Sequence, residues 1–386
     1  MNNINNQLCS GCGGCVEICP ISCISLTPSS DGFLKAAADE QQCIDCGLCT
    51  RKCSMLSAHH TDMVATAWAA YHKNSNIRNI SSSGGVFYAL AKEIIQRGGI
   101  ICGAAFNQEL NLRHTLVYDL ENLPQLCGSK YLQSDVRGVY PKIKEAVQAG
   151  KTVLFVGTPC QVAGLYTAIG RRPENLITCD LVCHGVPSPG LFQGYLRHLE
   201  NKYKSKIVSF RFRSKEKANA RMSYTVKLGL KQNNTDIFRY ISGDEEPYTM
   251  RFISGTLQAE SCYQCPFAST ARTGDLTFAD YWGYETAHPE LENILGVSLV
   301  LANSEKGRIL IEALQEVQLI PTQPEKYLPQ NNHLSTPIQK HPERDSLYAA
   351  FAKQGFTKQF YHKVFLPKGY KLYILKRRIK ALLNGH

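Results

Sequence analysis

No stretch of this chain is apolar for long enough to cross a bilayer, which leaves a soluble protein or at most a peripheral one. The start, Met1 to Gln7, is polar and lacks a secretory signal, so the expectation is a cytoplasmic protein in a reducing compartment. That excludes a disulfide framework for the 16 cysteines and leaves their thiolates available for metal. No nucleic-acid motif accompanies the formal net charge of +11, and charge alone does not make a nucleic-acid protein. With 386 residues, 44% hydrophobic and 19% charged, the chain can bury core for two or three domains.

One internal repeat is present, and it is made of cysteine. Cys9, Cys12, Cys15 and Cys19, followed by Pro20, form one run; Cys43, Cys46, Cys49 and Cys53 form the other. Both read C-x2-C-x2-C-x3-C, the spacing of bacterial ferredoxins with two [4Fe-4S] clusters, in which the fourth cysteine of each run serves the other cluster. The expected ligand sets are therefore Cys9, Cys12, Cys15 with Cys53, and Cys43, Cys46, Cys49 with Cys19. Zinc sites favour paired C-x2-C knuckles, often with histidine, and fit this pattern less well. Cys23 lies outside the run and reads as a small buried hydrophobe. Each cluster with its four thiolates carries roughly −2, so two or three clusters lower the net charge to about +7 or +5. The remaining excess suits an acidic electron donor such as ferredoxin, an anionic substrate or a membrane surface.

After a polar linker from Ser57 to Asp62, strand-like and helical textures alternate. Val64 to Tyr71, Gly99 to Phe106, Thr152 to Val156 and Asn175 to Val182 read as strands. Gly85 to Arg97, Val139 to Ala149, Gln161 to Ile169 and Leu191 to Lys202 read as helices. This predicts an α/β (α+β) fold with a helix-covered sheet. Ile207 to Arg213, Ser223 to Leu230 and Thr235 to Ile241 have no helix between them and should form an antiparallel insertion. Leu276 to Ala279 and Gly296 to Leu301 return to buried-strand texture. Beyond residue 323 the pattern weakens. The expected domains are a ferredoxin-type unit over 1–60, an oxidoreductase domain over 62–322 and a C-terminal extension over 323–386.

Four more cysteines sit beside turns. Cys160 follows a strongly apolar strand, where open α/β sheets collect ligands, and Cys183 occupies the matching place after the next strand. Cys262 and Cys265 make a C-x2-C knuckle. Together they supply four thiolates for a third cluster; the bland alternative is two buried cysteines and a knuckle that binds zinc or nothing. Cys179 competes with Cys183 but lies inside its strand, where a cubane has little room. Cys102 and Cys127 read as core.

Ser81-Ser82-Ser83-Gly84-Gly85 precedes a helix and reads either as a pyrophosphate site or as an ordinary N-cap. Lys130 follows a glycine turn, and Arg272, Asp275, Asp280, Tyr281 and Trp282 cluster in sequence. One-electron clusters need a converter before two-electron chemistry, and flavin is the usual one.

SSSGG at 81–85, GSKY at 128–131, GTPCQ at 157–161, CHGVPSP at 183–189, C-x2-C-P at 262–266 and ADYWG at 279–283 resemble the beta subunit family of coenzyme F-420 (deazaflavin) hydrogenases and dehydrogenases. The resemblance covers residues 62 to 320 and looks like a fused branch with a ferredoxin unit ahead. It implies an FAD-binding fold and one [4Fe-4S] cluster on Cys160, Cys183, Cys262 and Cys265. It also implies FAD contacts from Ser82, Ser83, Gly84, Gly85 and Lys130, with Asp280 a further candidate. The expected function is an FAD- and iron-sulfur-dependent oxidoreductase acting on an organic substrate. Some bacterial relatives accompany polysaccharide pyruvyl transferases, which extends the expectation to polysaccharide biosynthesis. The alternative is an electron-transfer subunit that feeds a partner protein.

The tail after Pro367 interleaves Lys368, Lys371, Lys376, Arg377, Arg378 and Lys380 with apolar residues. It reads either as a solvated helix packed on its own domain or as a peripheral contact for an anionic membrane or acidic partner.

Overall fold

The computed structural model describes residues 8–56, 66–217, 225–232, 235–291 and 296–383. The start Met1 to Gln7, the linker Ser57 to Asp62 and the first residues of the strands expected from Val64 and Ser223 lie outside them. In both cysteine runs the residue after the second cysteine is a glycine in the left-handed region, Gly13 at φ 76 and Gly47 at φ 68. A side chain is strained there, and the turn lets each run curl into a one-turn helix, α1 (Gly14–Glu17) and α2 (Leu48–Arg51). Between the runs lies a hairpin that the sequence pattern does not announce, β1 (Ile24–Pro28) with β2 (Leu34–Ala38).

The remaining strands are β3 (Thr66–His72), β4 (Ile100–Phe106), β5 (Leu112–Val117), β6 (Val153–Gly157), β7 (Leu176–Leu181), β8 (Lys206–Ser214), β9 (Thr225–Gln232), β10 (Thr235–Ser242), β11 (Leu276–Asp280), β12 (Ser298–Ala302) and β13 (Val317–Pro321). Eight of them form a mixed sheet in the order β13-β3-β12-β11-β7-β6-β4-β5. Its centre, β11-β7-β6-β4, is parallel, and the flanking pairs are antiparallel. The fold class is thus the expected α/β type. Edge strands β5 and β13 are hard to see in the sequence because each is only half-buried and mixes polar residues into a short run.

Alternation along the strands distributes the core to two faces. Ile101, Leu154, Ile177, Leu276 and Val300 pack under α3 (Val86–Gln96). Ile100, Val153, Phe155 and Leu176 pack under α4 (Tyr140–Gln148) and α5 (Pro159–Ile169). Leu90, Leu154 and Leu165 are completely buried, and truncating any of them to Ala costs about 2–5 kcal/mol. The hairpin joins the second face through Ile24, Leu26 and Ala36.

The antiparallel insertion is the three-stranded sheet β10-β9-β8. It packs on α6 (Pro189–Tyr203) and on Leu347 and Tyr348 of α7 (Arg344–Gln354), together with Phe360 and Phe365. Beyond residue 323 the chain is therefore more ordered than its fading periodicity suggests. Aromatic residues on several short elements, rather than one regular stripe, fill this core.

Two contacts seat the cysteine-rich unit on the sheet domain. α1 crosses α5 where two glycines meet: a Cβ on Gly14 would stand 2.9 Å from the Gly164 oxygen, and one on Gly164 would stand 2.6 Å from the Cys12 oxygen. Gln133 donates to the Ser10 and Leu34 carbonyls at 3.0 and 2.9 Å and accepts from the Leu34 N–H at 2.7 Å.

Candidate functional site: three sulfur-lined hollows and a cavity

Cys9, Cys12, Cys15 and Cys53 line one hollow, and Cys19, Cys43, Cys46 and Cys49 line the next. The fourth cysteine of each run thus stands with the other run, as its spacing predicts. Cys49 borders both hollows. Cys43 and Cys46 are exposed, so the second hollow reaches the surface. Cys23 is buried, as expected of a small hydrophobe, but it also lines this hollow, with its Sγ 3.5 Å from that of Cys19.

Cys160, Cys183, Cys262 and Cys265 line a third hollow. β6 and β7 are parallel neighbours, so the turns after them deliver Cys160 and Cys183 side by side at the carboxyl edge of the sheet. A short helical turn, Glu260–Gln264, brings the knuckle across to them. Burial raises the Cys160 thiol well above its usual range and pushes those of Cys183 and Cys262 up to about 12; neighbouring thiols add to the shift. Without a cation these sulfurs keep their protons, and an iron cluster is the kind of partner that displaces them. Cys179 is completely buried within β7 among Ile101, Leu154 and Ile177, away from this hollow. Among the described residues no three His, Cys, Asp or Glu side chains converge to hold a single ion. The sulfurs instead ring hollows, which fits the corner thiolates of a four-iron cubane.

A cavity of about 680 Å³ adjoins the third hollow and shares Cys160 and Cys183 with it. Ser81, Ser82, Ser83, Gly85, Lys130 and Asp280 all line it. The two loops expected to contact flavin meet there: Ser129 donates to Ser82 Oγ from its N–H at 2.5 Å and from its hydroxyl at 2.8 Å. Gly84 does not line the cavity. It is buried against β3, where a Cβ would lie 2.4 Å from the Ala70 oxygen, and its N–H donates to Ser298 Oγ.

Lys130 is half-buried, and its Nζ donates to the carbonyls of Leu126, Cys127 and Gly128, each at 3.1 Å. Burial lowers its pKa to about 8. Asp280 pairs with Arg213, a cavity residue on β8 that looks in sequence like the solvent side of an alternating strand and so gave no signal. Arg213 also lies 5.8 Å over the ring of Trp282. Cys127, expected in the core, is half-buried and lines the cavity, because the Gly128 turn carries it to the rim. His184 and His333 are joined at 2.8 Å between Nδ1 and Nε2 and line the cavity as well.

Residues 150–327 match the family described as the C terminus of the coenzyme F420 hydrogenase/dehydrogenase beta subunit, and residues 8–55 match the 4Fe-4S dicluster domain. Residues 150–327 thus carry the C-terminal domain of this beta subunit family, and a dicluster domain stands ahead of it. The chain is similar to the F subunit of the F(420)H(2) dehydrogenase of Methanosarcina mazei, 24% identical over 167 residues, which is 41% of this chain and 47% of the relative. The chain thus spans about half the length of that relative. It is also similar to a 7Fe ferredoxin of Hydrogenibacillus schlegelii, 37% identical over 57 residues, 15% of this chain and 67% of the ferredoxin. A chain of the F420-reducing [NiFe] hydrogenase complex of Methanosarcina barkeri aligns with a TM-score of 0.44 at 15% identity, covering 75% of this chain and 88% of that one. No helix among the described residues is long and apolar enough to cross a membrane.

Proposed function

We propose that this protein is an electron-transfer subunit that exchanges electrons with a partner redox protein. The reading gives it two [4Fe-4S] clusters in the dicluster domain, a third on Cys160, Cys183, Cys262 and Cys265, and FAD in the cavity. The observation that carries it is the continuity of the hollows. Cys49 belongs to the first two, Ser10 and Met55 border both the Cys9 hollow and the Cys160 hollow, and Cys160 and Cys183 border the cavity. Clusters bound there supply one-electron relays, and a bound flavin interconverts one- and two-electron steps. The exposed Cys43 loop offers the partner a surface opening at one end of the row.

The chain's own residues serve this role by holding positions. The Gly14–Gly164 contact and the Gln133 bridge keep the Cys9 hollow against the helix that carries Cys160. The curated relative carries the name of a dehydrogenase subunit, which supports a role inside a larger assembly. A second reading, an enzyme with its own organic substrate, draws support from exposed Leu181, Ile253 and Trp282 lining the cavity.

Anaerobic purification with iron, sulfide and flavin analysis tests the cofactor content, expected at roughly twelve irons and one FAD per chain. Electron uptake from reduced ferredoxin in the absence of any organic substrate, coupled to reduction of a second protein, favours the electron-transfer role. Turnover that requires an organic substrate and no protein acceptor would overturn it in favour of the enzyme. Stoichiometric zinc without sulfide would overturn both.

A further inference from the structure

The C-terminal helix α8 (Tyr370–Leu383) is fastened to the domain along one side. Tyr370 Oη donates to the Glu245 carbonyl at 2.9 Å, and Arg377 pairs with Glu245 at 2.9 Å and with Asp244. Residues seven apart on a helix lie almost in line, so Tyr370 and Arg377 define the inner face. At about 100° per residue, Leu372, Leu375 and Ile379 fall together on the opposite face. They are 56%, 54% and 47% exposed.

A surface helix ordinarily turns its apolar stripe inward and its charges outward, and this one presents aliphatic side chains to solvent. Lys371 and Lys376 are exposed and flank the stripe on its two sides. Residues 366–386 contain six Lys and Arg and no Asp or Glu. The nearest carboxylates lie toward the domain and are already paired, Asp244 and Glu245 with Arg377, and Glu343 with Arg251 and Lys368.

We propose that α8 lies in the headgroup boundary of an anionic lipid surface. Leu372, Leu375 and Ile379 enter the acyl edge, and Lys371 and Lys376 extend their ammonium groups sideways to lipid phosphates. Size decides between lipid and a protein partner. A helix of 14 residues is about 21 Å long and presents a face roughly 10 Å wide, an area on the order of 200 Å², whereas a specific protein interface takes about 800 Å² from each partner. A bilayer boundary accepts a single helix lengthwise. Because no described helix is long enough to cross a membrane, the attachment is peripheral. This inference does not depend on the cofactor assignment.

The full chain is sedimented with vesicles of phosphatidylcholine and with vesicles that also contain phosphatidylglycerol, at low and high salt. Binding is expected only to the phosphatidylglycerol vesicles and should weaken as salt rises. Two variants separate the parts of the surface: Leu375→Ser with Ile379→Ser removes two of the three stripe residues and keeps every charge, while Lys371→Gln with Lys376→Gln removes the two flanking charges and keeps the stripe. Each pair should lower vesicle affinity about tenfold or more without changing the melting temperature, because the altered side chains are solvent-exposed. Absence of binding to phosphatidylglycerol vesicles overturns the proposal. Unchanged binding by the serine pair also overturns it, since attraction is then only diffuse charge. A stripe that proves necessary for dimer formation or for capture by an acidic protein, with vesicles ignored, assigns the face to protein and overturns it as well.

Discussion

The backbone of Cys12 rests directly on Gly164: a Cβ at position 164 would stand 2.6 Å from the Cys12 oxygen, 3.0 Å from its Cβ and 3.1 Å from its Sγ. Residue 164 thus controls the fit between the cysteine-rich unit and the helix that bears Cys160. Neither partner in this contact can retreat easily, since Tyr140 Oη donates to the same Cys12 oxygen at 2.7 Å and to the Gln161 oxygen at 3.1 Å. Gly164→Ala is therefore expected to cost about 1–3 kcal/mol through overpacking and to loosen the docked unit. Proteolysis within residues 8–56 should become faster in the variant. An unchanged melting temperature and unchanged proteolysis would show that the contact yields at no cost.

Cys262 and Cys179 make a matched pair for testing the third hollow. Cys262 lines it and Cys179 does not, although burial raises both thiols. Cys262→Ala should remove about four irons from the anaerobically isolated protein and slow flavin reduction by reduced ferredoxin, leaving the other eight in place. Cys179→Ala should keep all the iron and lose stability by about 1 kcal/mol from the small cavity it opens in the core. Loss of iron in the Cys179 variant would reverse the assignment.

Lys130 poses a sharper question than its glycine turn suggested. With Nζ held by three carbonyl oxygens, the ammonium acts first on the loop that carries Cys127 to Tyr131 and only through it on anything bound in the cavity. Lys130→Met keeps much of the chain length but abolishes the charge and leaves three acceptors without their donor. The expected result is a loss of about 2–3 kcal/mol in stability together with weaker FAD retention, while the iron content of the dicluster domain stays constant. Normal stability with weakened FAD would mean that the ammonium instead contacts phosphate in the loaded protein. Normal FAD affinity would remove Lys130 from the site.

What the sequence made legible was chemistry that is local along the chain. The C-x2-C-x2-C-x3-C runs carry their own geometry, and period-two and period-3.6 patterns located the central strands and covering helices to within a residue or two. Cys160 and Cys183 could be paired because consecutive parallel strands end at the same edge. Ser10, Met55, Gln133 and Arg213 were illegible because each owes its position to residues far away in sequence. Gln133 is an ordinary polar residue until Leu34 and Ser10 fold against it. Gly84 looked like part of a phosphate turn and is instead the point where the loop passes under β3. The hairpin and the edge strands were missed because short, half-exposed runs give little periodic signal.

The most direct pH prediction concerns His114, which stands where β5 meets the cavity. Its Nε2 faces the Val156 oxygen at 3.1 Å and its Nδ1 faces Ser134 Oγ at 2.8 Å, so the ring that donates from Nε2 and accepts at Nδ1 is satisfied while neutral. Burial lowers its pKa from 6.5 to about 4, against a smaller opposing effect of the Val156 carbonyl. Between these values the unfolded chain binds a proton that the folded chain refuses, so the stability this residue contributes is complete above pH 6.5 and is lost as pH falls toward 4. The total is about 3 kcal/mol, and below pH 4 the contribution no longer changes. Burial also lowers His184 and His198 to about 4, so the acid sensitivity of the whole protein cannot isolate His114. The difference between wild type and His114→Gln can, because glutamine offers an amide donor and acceptor but takes no proton. Melting temperatures of the two proteins should converge as pH is lowered from 7 to 5, the wild type losing more. Parallel curves across that range would show that His114 takes up its proton in the folded state and that the buried ring is charged there.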